Sequence, residues 1–373
     1  MRAFVSKEVA GGEKRVAAVP ATVEKMVKAG VEVSVEPGAG LAAGFADAEY
    51  REAGAEVDAG SLERADVVLK VQAPLRLDNR HELDRLPEGA ALIALGLRPR
   101  TDAELSHKLR ERRITALSLD LIPRIARAQD MDVLSSMANI AGYKSVLLAA
   151  NALGKFFPML MTAAGTVLPA KVFVLGAGVA GLQAIATARR LGALVTGFDI
   201  RPAVKEQVES LGARFVAVAA EEQAEDKKGY AKEVSADAAR KERELVAEEL
   251  KASDVCITTA LVPEKRAPLL VTGEMVKAMR TGSVIVDLAA EQGGNCELTE
   301  PGKEIVRHGV RILGPVNLVS SMAFQASQLY ARNVLNFLLH LYDRQGRKIA
   351  VDGGDEIVKA CLVARGGELA QPD

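Results

Sequence analysis

Residues 171–201 read KVFVLGAGVAGLQAIATARRLGALVTGFDIR, and this stretch limits the fold more than any other in the 373 residues. A short apolar run enters Gly176-Ala177-Gly178-Val179-Ala180-Gly181. A helical pattern over 180–191 follows and stops at Gly192, and a second apolar run over 194–200 carries Asp199 near its end. The G-x-G-x-x-G spacing alone is weak, since a chain with 32 glycines produces it by chance at odds of roughly one in five. Context gives it weight: the pattern follows a strand, opens a helix, and precedes by 23 residues, counted from Gly176, an acidic residue at a strand end. In such a unit the first glycine permits a tight turn, the second lets the backbone approach a pyrophosphate, and the third lets helix and strand pack closely. The helix N-terminus turns N–H groups and a positive dipole end toward the phosphates. A carboxylate at Asp199 accepts from ribose hydroxyls and repels a 2′-phosphate, which favours NAD(H) over NADP(H); Arg201 nearby works in the other direction. The blander reading is a glycine turn in a sheet that binds nothing.

The same strand–helix rhythm runs through the rest of the chain. In the first third, strands fit residues 2–5, 31–35, 65–71, 90–95 and 114–119, and a helix over 20–29 has Pro20 in its first turn and Gly30 past its end. Thr101 is placed to cap a helix over 102–112, with Glu104 at the capping-box position. A second series starts at Lys171 and continues with strands at 194–200, 214–218, 254–259, 283–289 and 310–313. Two long helical patterns, 135–157 and 320–342, flank it. The prediction is an α/β chain: two doubly wound Rossmann-like domains with parallel sheets, joined by two long helices. The first domain is discontinuous, residues 1–134 with 325–373, and residues 135–324 form the nucleotide-binding domain. The tail IVKACLV, 357–363, packs back on the first domain.

Composition removes whole classes of function. With 48 basic against 49 acidic residues there is no basic excess for a phosphate backbone, so no nucleic acid is expected as a partner. At 49% hydrophobic the chain is not a disordered one. Cys256, Cys296 and Cys361 are odd in number and far apart, which suits neither a disulfide framework nor a zinc site and points to a reducing compartment. The opening MRAFVSKEVAGGEKR has charge where a signal peptide is apolar. The charge-free window 312–331 is long enough to cross a bilayer but holds Pro315, Asn317, Gln325 and Gln328, so no direct membrane span is expected.

Other candidates carry two readings each. In PRIARAQDMDVLSSMANIAGY, 123–143, the residues Arg124, Arg127, Gln129, Asp130 and Asp132 crowd together between the two series. They are either a helix start, with Asp132 or Ser135 as N-cap and the arginines in ion pairs, or a polar loop at the nicotinamide end of a cofactor site. Glu291, in AAEQGGN, either lies near the cofactor crevice or caps local N–H groups. Arg15 and Lys70 read as ordinary surface or strand-end charges, and His81, His107, His308 and His340 as scattered, mostly surface residues. No metal-ligand pattern and no nucleophile motif is present. The charge-dense stretch 221–251 is a solvated loop and surface helix, or a mobile lid with Gly229 as hinge and Tyr230 as the closing residue.

The segments PRIARAQDMDVLSSMANIAGYKSV and VFVLGAGVAGLQAIATARRLGALVTGFDIR closely resemble the NAD(H)-binding component of the proton-translocating transhydrogenases. The likeness continues through GYAKEV, ITTALVPEKRAPLLVT, SVIVDLAAEQGGNCE and GDEIVKACLV, nearly the whole chain. Alanine dehydrogenases share the fold, the length and much of the pattern. That second resemblance implies four substrate groups, of which Arg15 matches the arginine. The lysine, histidine and aspartate positions hold Gln72, Leu97 and Glu291. Without the imidazole or the ammonium, amino-acid oxidation lacks its acid–base machinery.

By resemblance, hydride moves directly between NAD(H) bound here and NADP(H) on a partner subunit, a reaction that needs positioning and dryness rather than a side-chain acid or base. The resemblance assigns Arg124, Gln129, Asp132 and Ser135 to the nicotinamide end, with Gln129 reaching toward the partner's nucleotide. It assigns cofactor contacts to Gly176, Gly178, Val179, Ala180, Gly181, Asp199, Ile200, Arg201, Ala260 and Leu261, and the mobile loop to Gly229 and Tyr230. It further implies a homodimer, with membrane-embedded and NADP(H)-binding partner subunits holding a cytoplasmic chain to the inner face of the membrane and coupling it to proton passage. Three alternatives stay open: an alanine dehydrogenase-like enzyme, a related amino-acid dehydrogenase such as the saccharopine-forming type, and a nonenzymatic NAD sensor.

Overall fold

The computed structural model describes residues 1–217, 236–262 and 265–370, with side chains at all of these but 236–239. The chain divides into two compact units, Met1–Met137 with Val319–Asp373, and Ala138–Leu318.

The first passage through unit 1 lays down β1 (Arg2–Val5), β2 (Glu32–Val35), β3 (Glu56–Val57), β4 (Val67–Leu69), β5 (Ala91–Ala94) and β6 (Thr115–Ser118). They pair in parallel in the order β6-β5-β4-β1-β2-β3. Helix α1 (Pro20–Lys28) has Pro20 at its start and buries Thr22, Val23 and Met26. It ends before Gly30, whose φ of +89° suits a residue without a Cβ. After the short α2 (Asp47–Glu52), α3 (Ala103–Glu111) is capped by Asp102 and not by Thr101: Asp102 Oδ1 accepts the Leu105 N–H at 2.9 Å. Glu104 closes no capping box, because its carboxylate accepts from Arg76 Nε at 2.7 Å.

Helix α4 (Val133–Ala152) carries the chain into unit 2. By length and composition it is the one helix among the described residues that could cross a membrane, and its Val146 and Ala149 lie fully buried in the core of unit 2. An antiparallel hairpin follows, β7 (Leu160–Thr162) and β8 (Gly165–Val167). Seven strands then make the second sheet: β9 (Lys171–Leu175), β10 (Leu194–Phe198), β11 (Arg214–Val216), β12 (Val255–Thr258), β13 (Val284–Asp287), β14 (Glu304–Arg307) and β15 (Val310–Leu313). Helices α5 (Val179–Arg190), α6 (Lys205–Ser210), α7 (Ala236–Ala252) and α8 (Gly273–Ala278) connect them. Along β9, Val172 and Val174 enter one core cluster while Phe173 and Leu175 enter another, so both faces of the strand are covered. The strand order β11-β10-β9-β12-β13-β15-β14 reverses direction between β9 and β12. This is the switch point at which doubly wound sheets place ligands.

Neither sheet is purely parallel, contrary to the expectation from sequence. In unit 2, β14 is antiparallel to β15, because His308 (φ +52°) and Gly309 (φ +77°) form a two-residue turn between them. In unit 1 the returning chain forms α9 (Ala323–Leu341), α10 (Glu356–Cys361), β16 (Leu362–Arg365) and β17 (Glu368–Leu369). The tail packs back on unit 1, as expected. Because α10 sits at the carboxyl end of β6, the strand after it runs back down that edge, and β16 pairs antiparallel with β6.

Candidate functional site

The three glycines of the turn after β9 have different surroundings. Gly176 has φ +97°, and a Cβ there would stand 2.7 Å from Thr259 Oγ1. A Cβ on Gly181 would stand 1.8 Å from the Gly176 carbonyl oxygen, so α5 and the strand approach each other too closely for any other residue. At Gly178 nothing lies within 4 Å of the same construction, which leaves open space above the backbone where α5 begins. Gly178 is also the N-cap of α5 and supplies no capping side chain, so the first turn keeps its N–H groups for an anion. Gly142 on α4 was missed as a site residue. A Cβ there would meet the Ala180 carbonyl oxygen at 2.1 Å, so a helix-interior glycine is what allows α4 to lie against the start of α5.

Asp199 follows β10 and is 7% exposed. Its Oδ2 accepts the Ala177 N–H at 2.8 Å and Arg201 Nη2 at 2.9 Å; its Oδ1 accepts the Arg201 N–H and Arg201 Nε, both at 2.9 Å. Four donors match the roughly four lone-pair positions of a carboxylate. The carboxylate that the sequence aimed at a ribose therefore also ties the glycine turn to the next strand.

Across the switch point, Thr259 follows β12. Its N–H donates to the Leu175 carbonyl at 2.8 Å and its hydroxyl to the Gly176 carbonyl at 3.0 Å. Ala260 and Leu261 come next, Leu261 being 42% exposed. Both backbone groups of Ala260 are taken by the Asn295 side chain. The buried carboxylate at this edge is Asp287, at the end of β13. It accepts from Thr258 Oγ1, the Ala289 and Cys296 N–H groups and Thr299 Oγ1 at 2.7–3.0 Å. Glu291 lies exposed in the short turn Ala290–Gln292 that follows. Sequence reasoning passed over Asp287 and Asn295 because their partners lie up to 35 residues away. Gly176, Gly178, Val179, Ala180, Gly181, Asp199, Ile200, Arg201, Ala260 and Leu261 thus gather at the carboxyl ends of β9, β10 and β12. Gly229 and Tyr230 lie outside the described residues.

Arg124, Gln129, Asp132 and Ser135 all belong to unit 1. A 3-10 turn over Ala126–Met131 buries Ala128 and Met131 and leaves Gln129 exposed; Arg124, two residues before the turn, is exposed as well. The side-chain amides of Asn333 and Asn336 on α9 hold it by donating to the Asp130 carbonyl at 2.8 and 3.1 Å. Asp132 caps α4: Oδ1 accepts the Ser135 N–H at 2.9 Å and Oδ2 the Ser135 hydroxyl at 2.6 Å. Arg127 lies 3.6 Å from Asp355.

Arg15 and Lys70 are not surface charges. Arg15 is 3% exposed, with Nε 2.8 Å from Glu13 Oε1 and Nη2 2.6 Å from Glu13 Oε2, and Gln72 Nε2 donates to the same carboxylate at 2.8 Å. Burial raises the Glu13 pKa, but the hydrogen bonds and charge of Arg15 prevail and hold it at about 2. Lys70 is 1% exposed, 2.7 Å from Glu82 and 3.7 Å from Glu8. Long cations are buried only when paired, and each of these is. His81 is likewise buried, its Nδ1 accepting the Leu83 N–H at 3.1 Å. The three cysteines are buried free thiols, and burial pushes Cys296 up to about 11.

Family models cover both halves of the chain: alanine dehydrogenase/PNT, N-terminal domain, over residues 4–141, and alanine dehydrogenase/PNT, C-terminal domain, over residues 145–372. An NAD(P) transhydrogenase subunit alpha polypeptide of Rhodospirillum rubrum is 48% identical, covering 100% of this chain and 98% of its own. The crystal structure of transhydrogenase from Sinorhizobium meliloti matches with a TM-score of 0.89 at 45% identity, over 99% of this chain and 100% of that one. A structure of L-alanine dehydrogenase matches with a TM-score of 0.83 at 30% identity, over 100% and 97%. The chain therefore belongs to the alanine dehydrogenase/PNT family, on its transhydrogenase side.

Proposed function

We propose that this chain is the NAD(H)-binding subunit of a transhydrogenase, exchanging hydride between NAD(H) in unit 2 and NADP(H) on a partner subunit. The observation that carries the reading is the open backbone at Gly178, at the uncapped start of α5 and beside the switch point, with Asp199 at the next strand end. NAD(H) supplies the hydride; the residues of this chain bind, orient and exclude water. The N–H groups at the start of α5 hold the pyrophosphate. Asp199 takes the adenosine ribose hydroxyls in place of the Arg201 guanidinium, which supplies the two movable donors of its four, since the Ala177 and Arg201 N–H groups are fixed in the backbone. Arg124 and Gln129 serve the nicotinamide end, Gln129 reaching toward the partner's nucleotide, while Asp132 and Ser135 fix the start of α4 beside them. The subunit works as a homodimer, held to the cytoplasmic face of the inner membrane by membrane-embedded and NADP(H)-binding partners that couple the transfer to proton movement.

An alanine dehydrogenase-like reaction has less support. The Arg15 guanidinium is engaged side-on by Glu13, and Gln72 and Leu97 stand where that reaction takes its lysine and histidine. The decisive experiment mixes this chain with an NADP(H)-binding partner domain and follows hydride passage from NADH to an oxidised NADP analogue. Exchange that needs both proteins supports the proposal. Reductive amination of pyruvate by the chain alone, or no exchange, overturns it. Gln129→Asn should slow exchange far more than it weakens NADH binding, and equal losses would remove Gln129 from the transfer site.

A further inference from the structure

Asn295, the last residue of AAEQGGN, carries no role in the sequence reading, yet it occupies the place of a missing strand neighbour. Its residue is 0% exposed. Its Oδ1 accepts the Ala260 N–H at 3.1 Å, and its Nδ2 donates to the carbonyls of Ala260 and Pro268, each at 2.8 Å. Its own carbonyl accepts the N–H groups of Leu270 and Val271 at 2.8 and 2.9 Å. The carboxamide pairs with Ala260 as a second backbone would, one residue beyond the point where Thr259 still bonds to Leu175. The chain of contacts ends on the glycine turn: a Cβ on Gly176 would stand 2.7 Å from Thr259 Oγ1 and 3.3 Å from the Ala260 nitrogen. Asn295 therefore sets how closely the loop after β12 stands to the turn after β9, across the switch point. With its N–H consumed and its carbonyl held by the Asn295 amide, Ala260 turns no free donor toward a bound molecule.

We propose that Asn295 is a positioning residue for the nicotinamide half of the dinucleotide, an inference that rests on NAD(H) binding in unit 2. The strand order gives the direction. Asp199 follows β10, on one side of β9, and holds the adenosine half; β12 is on the other side, so the remaining half lies over Thr259 and Ala260. A merely structural role would weaken all ligands alike, whereas a positioning role separates them.

The test compares NADH and 5′-AMP by equilibrium titration on the full chain. Asn295→Ala should raise the NADH dissociation constant by about tenfold and leave that of 5′-AMP within about twofold. Asn295→Ser keeps one hydroxyl donor for the Ala260 carbonyl, so it should fall between, and it carries the test if the alanine variant does not fold. Equal weakening of both ligands, or no change in either, overturns the inference. A wild-type chain that binds neither ligand overturns the underlying reading, and this inference with it.

Discussion

The first turns of the two sheets put polar groups to opposite uses. After β9, the chain passes through Gly176, Ala177 and Gly178 straight into α5, and the position at Gly178 stays open. After β1, residues 6–19 intervene before α1, and they carry Glu8, Glu13 and Arg15 into a buried network with Lys70, Gln72 and Glu82. In unit 2 the backbone at Gly178 is left open. In unit 1 the charges satisfy one another. Both sheets are mostly parallel with an antiparallel edge, so the architecture does not choose between a site and a structural core; the first connection does.

The comparison breaks most readily in unit 1. Arg15→Met should leave the Glu13 carboxylate buried without its cation and cost about 3–5 kcal/mol in denaturant unfolding, with NADH affinity unchanged. Adding Glu13→Gln should recover most of the loss. An Arg15→Met chain that unfolds like the wild type would show that the network is not holding unit 1 together. Acid supplies the same test without mutation. The Glu13 pKa is held at about 2 against 4.5 for the free group, so its stabilisation is full above pH 4.5 and is lost as the pH falls through 2. That loss amounts to about 3 kcal/mol and should be absent from the double variant.

Unit 2 offers a sharper contrast within one turn. Gly181→Ala places a methyl against the Gly176 carbonyl oxygen and should cost about 1–3 kcal/mol of stability. Gly178→Ala meets nothing and should change stability by less than about 0.5 kcal/mol, yet weaken NADH at least about tenfold by filling the space meant for the pyrophosphate. A Gly178→Ala chain that binds NADH normally would move the phosphates elsewhere. Asp199→Ala should weaken NADH by about tenfold and relax discrimination against NADPH; an unchanged preference would detach Asp199 from the ribose.

These contrasts follow the limits of what was legible in the sequence. The turn from Gly176 to Gly181 and the carboxylate at Asp199 could be read because their chemistry is local: a strand, three glycines at fixed offsets, a helix, a strand end. The burial of Arg15 and Lys70 could not, since it depends on Gln72 and on Glu82, residues brought in by other elements. Asn295 was hidden for the same reason, 35 residues from Ala260. The antiparallel β16 is set by where α10 lands at the end of β6, which no local pattern encodes. His308-Gly309 was a missed local signal, a two-residue turn that names the hairpin β14–β15.

Asp132 is where a local structural reading and a functional one meet in a single side chain. Its two oxygens hold the N–H and the hydroxyl of Ser135, so Asp132→Ala should cost about 1 kcal/mol through loss of the α4 cap, read as a lower melting temperature. Asp132→Asn keeps an acceptor for the Ser135 N–H and should melt within about 2 °C of the wild type. The asparagine variant therefore separates the roles. If hydride exchange with the partner domain falls in Asp132→Asn while melting holds, the carboxylate acts on the reacting nucleotides. Undiminished exchange makes Asp132 a cap alone and leaves the proposed role in transfer to Arg124 and Gln129, both exposed.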